Sequence, residues 1–238
     1  MTVRRMILAA GAGLLPLVAL GCSGPAFEHP LPSSPLLAAE WPAMFEEGAE
    51  EGVEDGGAGA DGGGVRARMI AAARSLLDDA RDRPDYGYGA RDLDEILAKV
   101  MPGLSWDASS GLDDLVKLAR ERGAYRTDAE PEAGDVALFH NQVDLDANGE
   151  ADDWLTGCAV VIEADGPRFK AVTRTGHAPR EIAAWPDGPS AARVDGEKAN
   201  SYVKIPTRAD PKDAEYLASD LYAGYIDVEA LEAPAPGR

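Results

Sequence analysis

The sequence predicts an α+β domain in which helices come first and a small antiparallel sheet follows. Three observations support this fold class. Apolar residues recur at helical spacing between residues 65 and 122, they form short strand-like segments after residue 134, and turn-forming residues separate those segments. Helical segments followed by a block of strands are typical of α+β domains. We therefore expect one folded domain over residues 65–228, with its N-terminal helices packed on the sheet.

Three helices are predicted in the first half of this domain. Val65–Arg81 places six apolar residues on one face, and Asp92–Met101 repeats the pattern over a shorter length. The third helix starts in the stretch Asp107–Arg120 (DASSGLDDLVKLAR), where Ser109 or Ser110 suits the N-cap position.

The second half of the domain predicts strands and one closing helix. Asp135–Phe139, Cys158–Glu163 and Arg168–Arg174 have the composition of strands, and the turn sequence ADGP joins the last two as a hairpin. Tyr202–Ile205 could be a fourth strand. Asp213–Tyr225 predicts a helix because its apolar residues recur at helical spacing.

The N-terminus predicts a targeting segment. The basic pair Arg4-Arg5 precedes an apolar stretch that ends in Ala19-Leu20-Gly21-Cys22, and a small residue before a cysteine resembles the processing box of bacterial lipoproteins. The resemblance implies a signal peptide over residues 1–21 and lipidation of Cys22 at the cell envelope. The outer membrane is favoured because no aspartate follows the cysteine. An ordinary secretory signal is the alternative, and a disulfide between Cys22 and Cys158 then stays open.

Composition predicts a spacer and restricts the partners. Residues 22–64 are rich in glycine, proline and acids, which predicts an unfolded tether, and residues 229–238 predict a disordered tail. The 238 residues carry a formal net charge of −19. This charge argues against a nucleic-acid partner and against electrostatic binding to an anionic membrane. We therefore expect membrane contact through the lipid anchor only.

One motif carries a family resemblance. Pro131–Phe139 (PEAGDVALF) matches the element Pro-x-x-Gly-Asp-Val/Leu-x-x-Phe, and with the order of helices and strands it resembles the NlpC/P60 and CHAP group of papain-like cell-wall hydrolases. In that group a nucleophilic cysteine begins a helix in an Asp-Cys-Ser-Gly-Leu/Phe-Val motif, and a catalytic histidine opens a strand in a His-Val-Gly-Ile/Val pattern. The resemblance covers roughly residues 65–228 and implies a papain-like fold.

The sequence departs from this family at the catalytic positions. Two registers place either Ser109 or Leu112 where the nucleophilic cysteine should be, and Leu155–Val161 (LTGCAVV) places Gly157 at the position of the histidine. The family imidazole deprotonates the thiol and later protonates the leaving group, and a glycine can do neither. The resemblance therefore implies a catalytically degenerate domain, with no catalytic residues expected.

A relocated active site is the alternative. Cys158 or Ser109 would be the nucleophile and His177 the base, since Cys158 and His177 lie near adjacent ends of the predicted hairpin strands. However, Cys158 follows the histidine position by one residue, so strand alternation turns it to the opposite face and into the core. His140 is a further imidazole without an assigned role, and no zinc-ligand spacing is present.

Asp144–Asp152 (DLDANGEAD) matches the first nine positions of an EF-hand calcium loop, including the glycine at position six. The ligands would be Asp144, Asp146, Asn148, the Glu150 carbonyl and Asp152. Leu155 replaces the bidentate glutamate of position twelve, and Asp153 could substitute only with a changed backbone. The alternative interpretation is a polar hairpin loop rich in turn-forming residues.

These observations predict an envelope lipoprotein whose degenerate domain binds peptidoglycan-type ligands or an envelope protein. Two other functions stay open. One is an active cell-wall amidase or endopeptidase with a relocated nucleophile, and the other is a purely structural lipoprotein stabilised by Ca²⁺.

Overall fold

The computed structural model describes residues 63–78, 89–146, 148, 150–176, 178–207, 210 and 212–234. The signal peptide, Cys22, nearly all of the tether, and His177 lie outside these residues. The helices and strands in chain order are α1 (Val65–Asp78), α2 (Ala90–Val100), α3 (Gly111–Glu121), β1 (Tyr125–Arg126), β2 (Val136–Phe139), β3 (Gly157–Asp165), β4 (Arg168–Arg174), β5 (Pro179–Ala184), β6 (Arg193–Val194), β7 (Glu197–Lys198), α4 (Ala218–Leu221), β8 (Tyr222–Ile226) and α5 (Val228–Glu232).

Six strands form one antiparallel sheet in the order β1-β8-β2-β3-β4-β5. The strands β2 to β5 follow each other as neighbours, whereas β8 returns from the end of the chain to lie between β1 and β2. The short strands β6 and β7 form a separate hairpin. This arrangement confirms the predicted α+β class and the small antiparallel sheet.

Each face of the sheet has its own apolar core. The helices α1, α2 and α3 cover one face, where their buried side chains meet Leu138, Val160 and Val172 of the central strands. On the other face, Phe139 and Val161 pack with residues of β4, β5 and α4. Burial on both faces explains why β2 consists entirely of buried residues and lacks polar alternation.

The motif PEAGDVALF ties the sheet to the helices. Gly134 has a φ of 103°, and a Cβ added there would come within 2.5 Å of the Arg66 Cβ. The next residue, Asp135, is buried and accepts hydrogen bonds from the backbone N–H groups of Glu132 (2.9 Å) and Val228 (3.2 Å). Its Oδ1 also lies 3.4 Å from Arg66 Nη2. In this protein the motif therefore joins α1, β2 and α5.

Asp135 makes the stability of this junction depend on pH. Burial raises its pKa from 3.8 to about 7, and the charge of Arg66 opposes the shift. Because the pKa is higher in the folded state, the stabilising contribution is present below about pH 4 and is lost as the pH rises to about 7. We expect the free energy of unfolding to fall across this window, and to fall less steeply in Asp135→Asn. Urea unfolding at several pH values measures both slopes, and equal slopes would contradict this assignment.

The predicted helix Asp213–Tyr225 is wrong for most of its length. Only Ala218–Leu221 is helical, and Tyr222–Ile226 forms β8 inside the sheet. Gly224 has a φ of 125°, and a Cβ added there would overlap the carbonyl oxygen of Arg126. The close approach of two backbones therefore requires a glycine at this position. The neighbouring apolar residues recur at helical spacing, so the sequence predicted a helix instead of this strand.

Three smaller differences concern the edges of the fold. Tyr202–Ile205 forms no strand and contributes only an isolated bridge between Tyr202 and Leu217. The strand β5 was not predicted. The chain is helical from Val228 to Glu232 and buries Leu231, in a stretch where the sequence predicted the start of a tail.

Candidate functional site

The start of α3 is where the family resemblance places the nucleophile. Asp107 caps the short 3₁₀ turn Ala108–Ser110 that leads into α3, because its Oδ1 accepts the Ser109 backbone N–H at 2.8 Å and also the Ser109 hydroxyl. Ser110 lies at the N-cap position of α3, one of the two predicted alternatives, but its side chain accepts no helix N–H, and its hydroxyl instead donates to the Asp107 carbonyl oxygen (2.8 Å). The Ser109 hydroxyl is thus an exposed donor to a carboxylate and contacts no imidazole among the described residues.

The alternative register gives no nucleophile either. Leu112 lies one turn further along α3 and is 5% exposed, within the core between the helices and the sheet. It contributes to packing and presents no reactive group.

Gln142 fills the side-chain position of Gly157, the residue that the sequence resemblance aligns with the family histidine. A Cβ added to Gly157 would overlap the carboxamide of Gln142. The Gln142 side chain is buried, and within the described residues neither its Oε1 nor its Nε2 has a hydrogen-bond partner. Its backbone N–H donates to the Thr156 hydroxyl at 2.7 Å, which holds the residue beside the start of β3. A histidine cannot occupy this position while Gln142 does.

Cys158 lies in the core, as strand alternation predicted. It is 1% exposed and belongs to the core that faces the helices. Burial, and secondarily the charge of Asp92, raises the pKa of its thiol well above the ordinary value. The thiol is therefore protonated at neutral pH. Its proposed partner His177 lies outside the described residues.

A buried ion pair next to Cys158 was not predicted. Arg174 at the end of β4 donates to Asp92 of α2 through Nε (2.8 Å) and Nη2 (3.2 Å), and both side chains are about 5% exposed or less. This two-point contact fixes α2 against the sheet. No sequence pattern indicated this pair, because an aspartate in the first turn of a helix already fits the helix dipole.

His140 is the one described imidazole near the start of α3. Its Nδ1 accepts the backbone N–H of Leu155 at 3.1 Å, and its ring stacks on Trp154 with centroids 3.9 Å apart. Burial lowers its pKa, and the charge of Asp113 in the first turn of α3 opposes this. Since Nδ1 accepts, we assign the neutral ring proton to Nε2. The sequence identified His140 only as a polar residue after a strand and did not indicate its contacts with Leu155 and Trp154.

The Asp-rich loop brings together a different set of acids from the predicted one. Asp144, Asp146 and Asp153 each place a carboxylate oxygen within 4.8 Å of the others. Asp152 instead accepts a hydrogen bond from the Asn148 side chain (3.4 Å). Two of the three convergent acids, Asp144 and Asp146, are therefore predicted ligands. The third, Asp153, was expected to contribute only with a changed backbone.

Asn148 organises the turn of this loop. Its backbone N–H donates to the carboxylates of Asp144 (3.2 Å) and Asp146 (3.1 Å), and its Oδ1 accepts the backbone N–H of Glu150 (2.6 Å). The backbone N–H and the side-chain oxygen of Asn148 therefore both form hydrogen bonds within the loop, as in an Asx turn. Burial and the neighbouring acids together raise the pKa of Asp153. A cation among these carboxylates would relieve their mutual repulsion.

The chain was compared with known proteins, and no family model, curated protein or solved structure matches it. Within the described residues, no helix has both the length and the apolar composition to cross a membrane. The fold and the site define an α+β domain in which the start of a helix lies near the end of one strand and the beginning of the next. Ser109 precedes this helix, His140 and Gln142 follow the first strand, and Cys158 is the second residue of the next strand.

Proposed function

We propose that this protein is a catalytically degenerate relative of the NlpC/P60 and CHAP hydrolases, held in the bacterial envelope by lipid on Cys22. It would bind peptidoglycan-type ligands or an envelope protein. The observation that carries the proposal is the carboxamide of Gln142 in the side-chain position of Gly157. It explains how the domain keeps the strand of a cell-wall hydrolase without its general base.

The layout of the domain supports the resemblance to a papain-like fold. Helices cover one face of an antiparallel sheet, and Asp113 at the start of α3 lies close enough to His140 to influence its pKa. His140 directly follows β2, and Phe139 pairs with Gly157 at the start of β3. The helix start and the strand start that carry the nucleophile and the base in the family are therefore neighbours.

The state of each candidate nucleophile supports the loss of catalysis. A hydrolase of this class needs a nucleophile within hydrogen-bond reach of a base and open to substrate. Ser109 is open but bonded to Asp107, and Cys158 is buried with a raised pKa. His140 uses Nδ1 to accept from the backbone. Neither candidate satisfies both requirements within the described residues.

Incubation of the purified full-length protein with peptidoglycan sacculi tests this proposal. We expect the protein to sediment with the sacculi and to release no soluble fragments. Trp154, which is 55% exposed beside His140, is a candidate contact, so Trp154→Ala should reduce sedimentation. The matched control is Leu77→Ser, which removes an exposed apolar side chain from α1.

Release of fragments that is lost in Ser109→Ala or Cys158→Ala would instead establish an active hydrolase with a relocated nucleophile. Absence of both sedimentation and release would leave an envelope protein as the partner, and cross-linking in cells would then have to recover that protein.

We also propose that the Asp-rich loop binds Ca²⁺ through Asp144, Asp146 and Asp153. The convergence of three carboxylates favours this structural role. Millimolar Ca²⁺ should raise the melting temperature by several degrees, because a ligand that binds only the folded state stabilises it. Asp153→Asn should abolish the shift, whereas Asp165→Asn, at the exposed end of β3, should keep it. An equal shift in both variants would contradict the site.

A further inference from the structure

A concave surface lies at the end of β3 opposite to Gly157. The nine residues of β3 separate the two by about 25 Å, at roughly 3.3 Å per residue. The groove has a volume of about 270 Å³. Its apolar part consists of Phe169 and the small side chains of Ala183, Ala184 and Ala199, and its charged rim consists of Glu163, Asp165, Arg168, Lys170 and Lys198.

Arg168 is held in a fixed orientation at this rim. Its guanidinium lies 3.8 Å from the centroid of the Trp185 ring. The indole is itself confined, because a Cβ added to Gly188 would overlap it, and the backbone N–H of Trp185 donates to Asn200 Oδ1 at 2.8 Å. Asp165 faces Arg168 across the hairpin, yet Arg168 forms no ion pair with any residue that the structure describes. Its N–H groups are therefore available to a planar acceptor.

Lys198 is the other cation of the groove that forms no ion pair with a described carboxylate. Burial lowers its pKa, and the like charges of Arg180 and Arg193 act in the same direction, whereas Glu181 opposes them. Lys170 differs, since its Nζ lies 3.0 Å from Glu163 and 3.9 Å from Glu181. Glu181 is the one carboxylate found to offset the charge of Lys198 among the described groups, so an anion in the groove would compensate it further.

The chemistry of the groove selects one class of anion. Three bases and two acids line it, so the local charge is +1 in a chain whose net charge is −19. The two acids at the rim disfavour a dianion such as phosphate, whereas the planar guanidinium matches a carboxylate in two-point geometry. The partly exposed side chains of Ala183 and Ala199 offer a small apolar surface beside that carboxylate.

We propose that this groove binds the C-terminal carboxylate of a short peptide that ends in small apolar residues. Arg168 would hold the carboxylate, Lys198 would add its charge, and the two alanines would contact the last side chain. The site goes beyond the function proposed above, because it uses the other end of the sheet and none of the same residues.

Titration of the full-length protein with acetyl-alanyl-alanine, followed by calorimetry, tests this site. The amide of the same peptide is the matched ligand, since it keeps the shape and lacks the charge. We expect binding of the acid and little binding of the amide. Inorganic phosphate is the third probe, and binding of phosphate as tight as that of the peptide acid would overturn the assignment to a carboxylate.

Variants locate the binding within the groove. Arg168→Gln and Lys198→Gln should each lower the affinity for the peptide acid about fivefold, as expected for the loss of one partly exposed charge contact. Lys117→Gln on the exposed face of α3 removes the same charge elsewhere and should leave the affinity unchanged. Trp185→Leu keeps every charge but frees Arg168, so it should also weaken binding. Equal weakening by Lys117→Gln, or binding of the amide as tight as that of the acid, would overturn the proposal.

Discussion

Replacing Arg174 with methionine should lower the free energy of unfolding by about 3–5 kcal/mol, because it leaves the carboxylate of Asp92 buried without its partner. The two side chains are 5% and 4% exposed, and Arg174 Nε lies 2.8 Å from Asp92 Oδ2. Solvent therefore cannot take the place of the lost contact. Urea unfolding followed by circular dichroism measures the change, with the slope of the transition used to confirm that the denatured state is unaltered.

The matched control is Lys170→Met, which breaks an ion pair at the surface. Lys170 Nζ lies 3.0 Å from Glu163, but the two side chains are 49% and 42% exposed, so we expect a loss below about 1 kcal/mol. The double variant Asp92→Leu/Arg174→Met should recover part of the loss, since it removes both buried charges. If Arg174→Met and Lys170→Met cost the same, the pair between α2 and β4 is hydrated in solution and does not fix the helix.

Local patterns predicted those parts of the fold that depend on residues close in sequence. The strand Arg168–Arg174 has the predicted bounds, and the hairpin turn lies where the sequence ADGP indicated. Alternation along β3 placed Cys158 in the core, which burial confirms. Periodicity decides which face of a strand a residue lies on, so the buried thiol could be predicted without knowing its neighbours.

Contacts between distant residues could not be predicted in this way. Asp92 and Arg174 are separated by 82 positions, and nothing in either segment distinguishes a buried partner from an exposed one. The strand β8 was interpreted as a helix because its pairing partners β1 and β2 lie far earlier in the chain. For the same reason the sequence could not indicate that Gln142 occupies the side-chain position of Gly157.

The candidate metal loop illustrates a limit of motif matching. The spacing of Asp144 and Asp146 was enough to bring their carboxylates together. A β-strand follows this loop, whereas an EF-hand loop leads into a helix, so the later positions of the motif do not have their usual orientation. Asp153 therefore takes the place near the other two acids, and Asp152 contacts Asn148.

The second large effect on stability is expected at Gly157, because Gln142 occupies its side-chain position. Gly157→Ala should lower the free energy of unfolding by about 1–3 kcal/mol, because the new methyl group and the buried carboxamide of Gln142 cannot occupy the same space. Shortening the opposing residue removes the conflict. The double variant Gly157→Ala/Gln142→Ala should therefore be more stable than the sum of the two single effects predicts, by about 1 kcal/mol in a double-mutant cycle. Urea unfolding of the four proteins gives this coupling energy.

Gly103→Ala is the control for the intrinsic effect of replacing a glycine. Nothing lies within 4 Å of a Cβ added there, so we expect a change within about 0.5 kcal/mol. A neutral Gly157→Ala, or single effects that simply add, would mean that Gln142 moves away at no cost and leaves the side-chain position of residue 157 open. In that case the function proposed above would lose its main support, because Gln142 would no longer account for the missing side chain at residue 157. A measured coupling would instead show that Gly157 and Gln142 act as one packing unit.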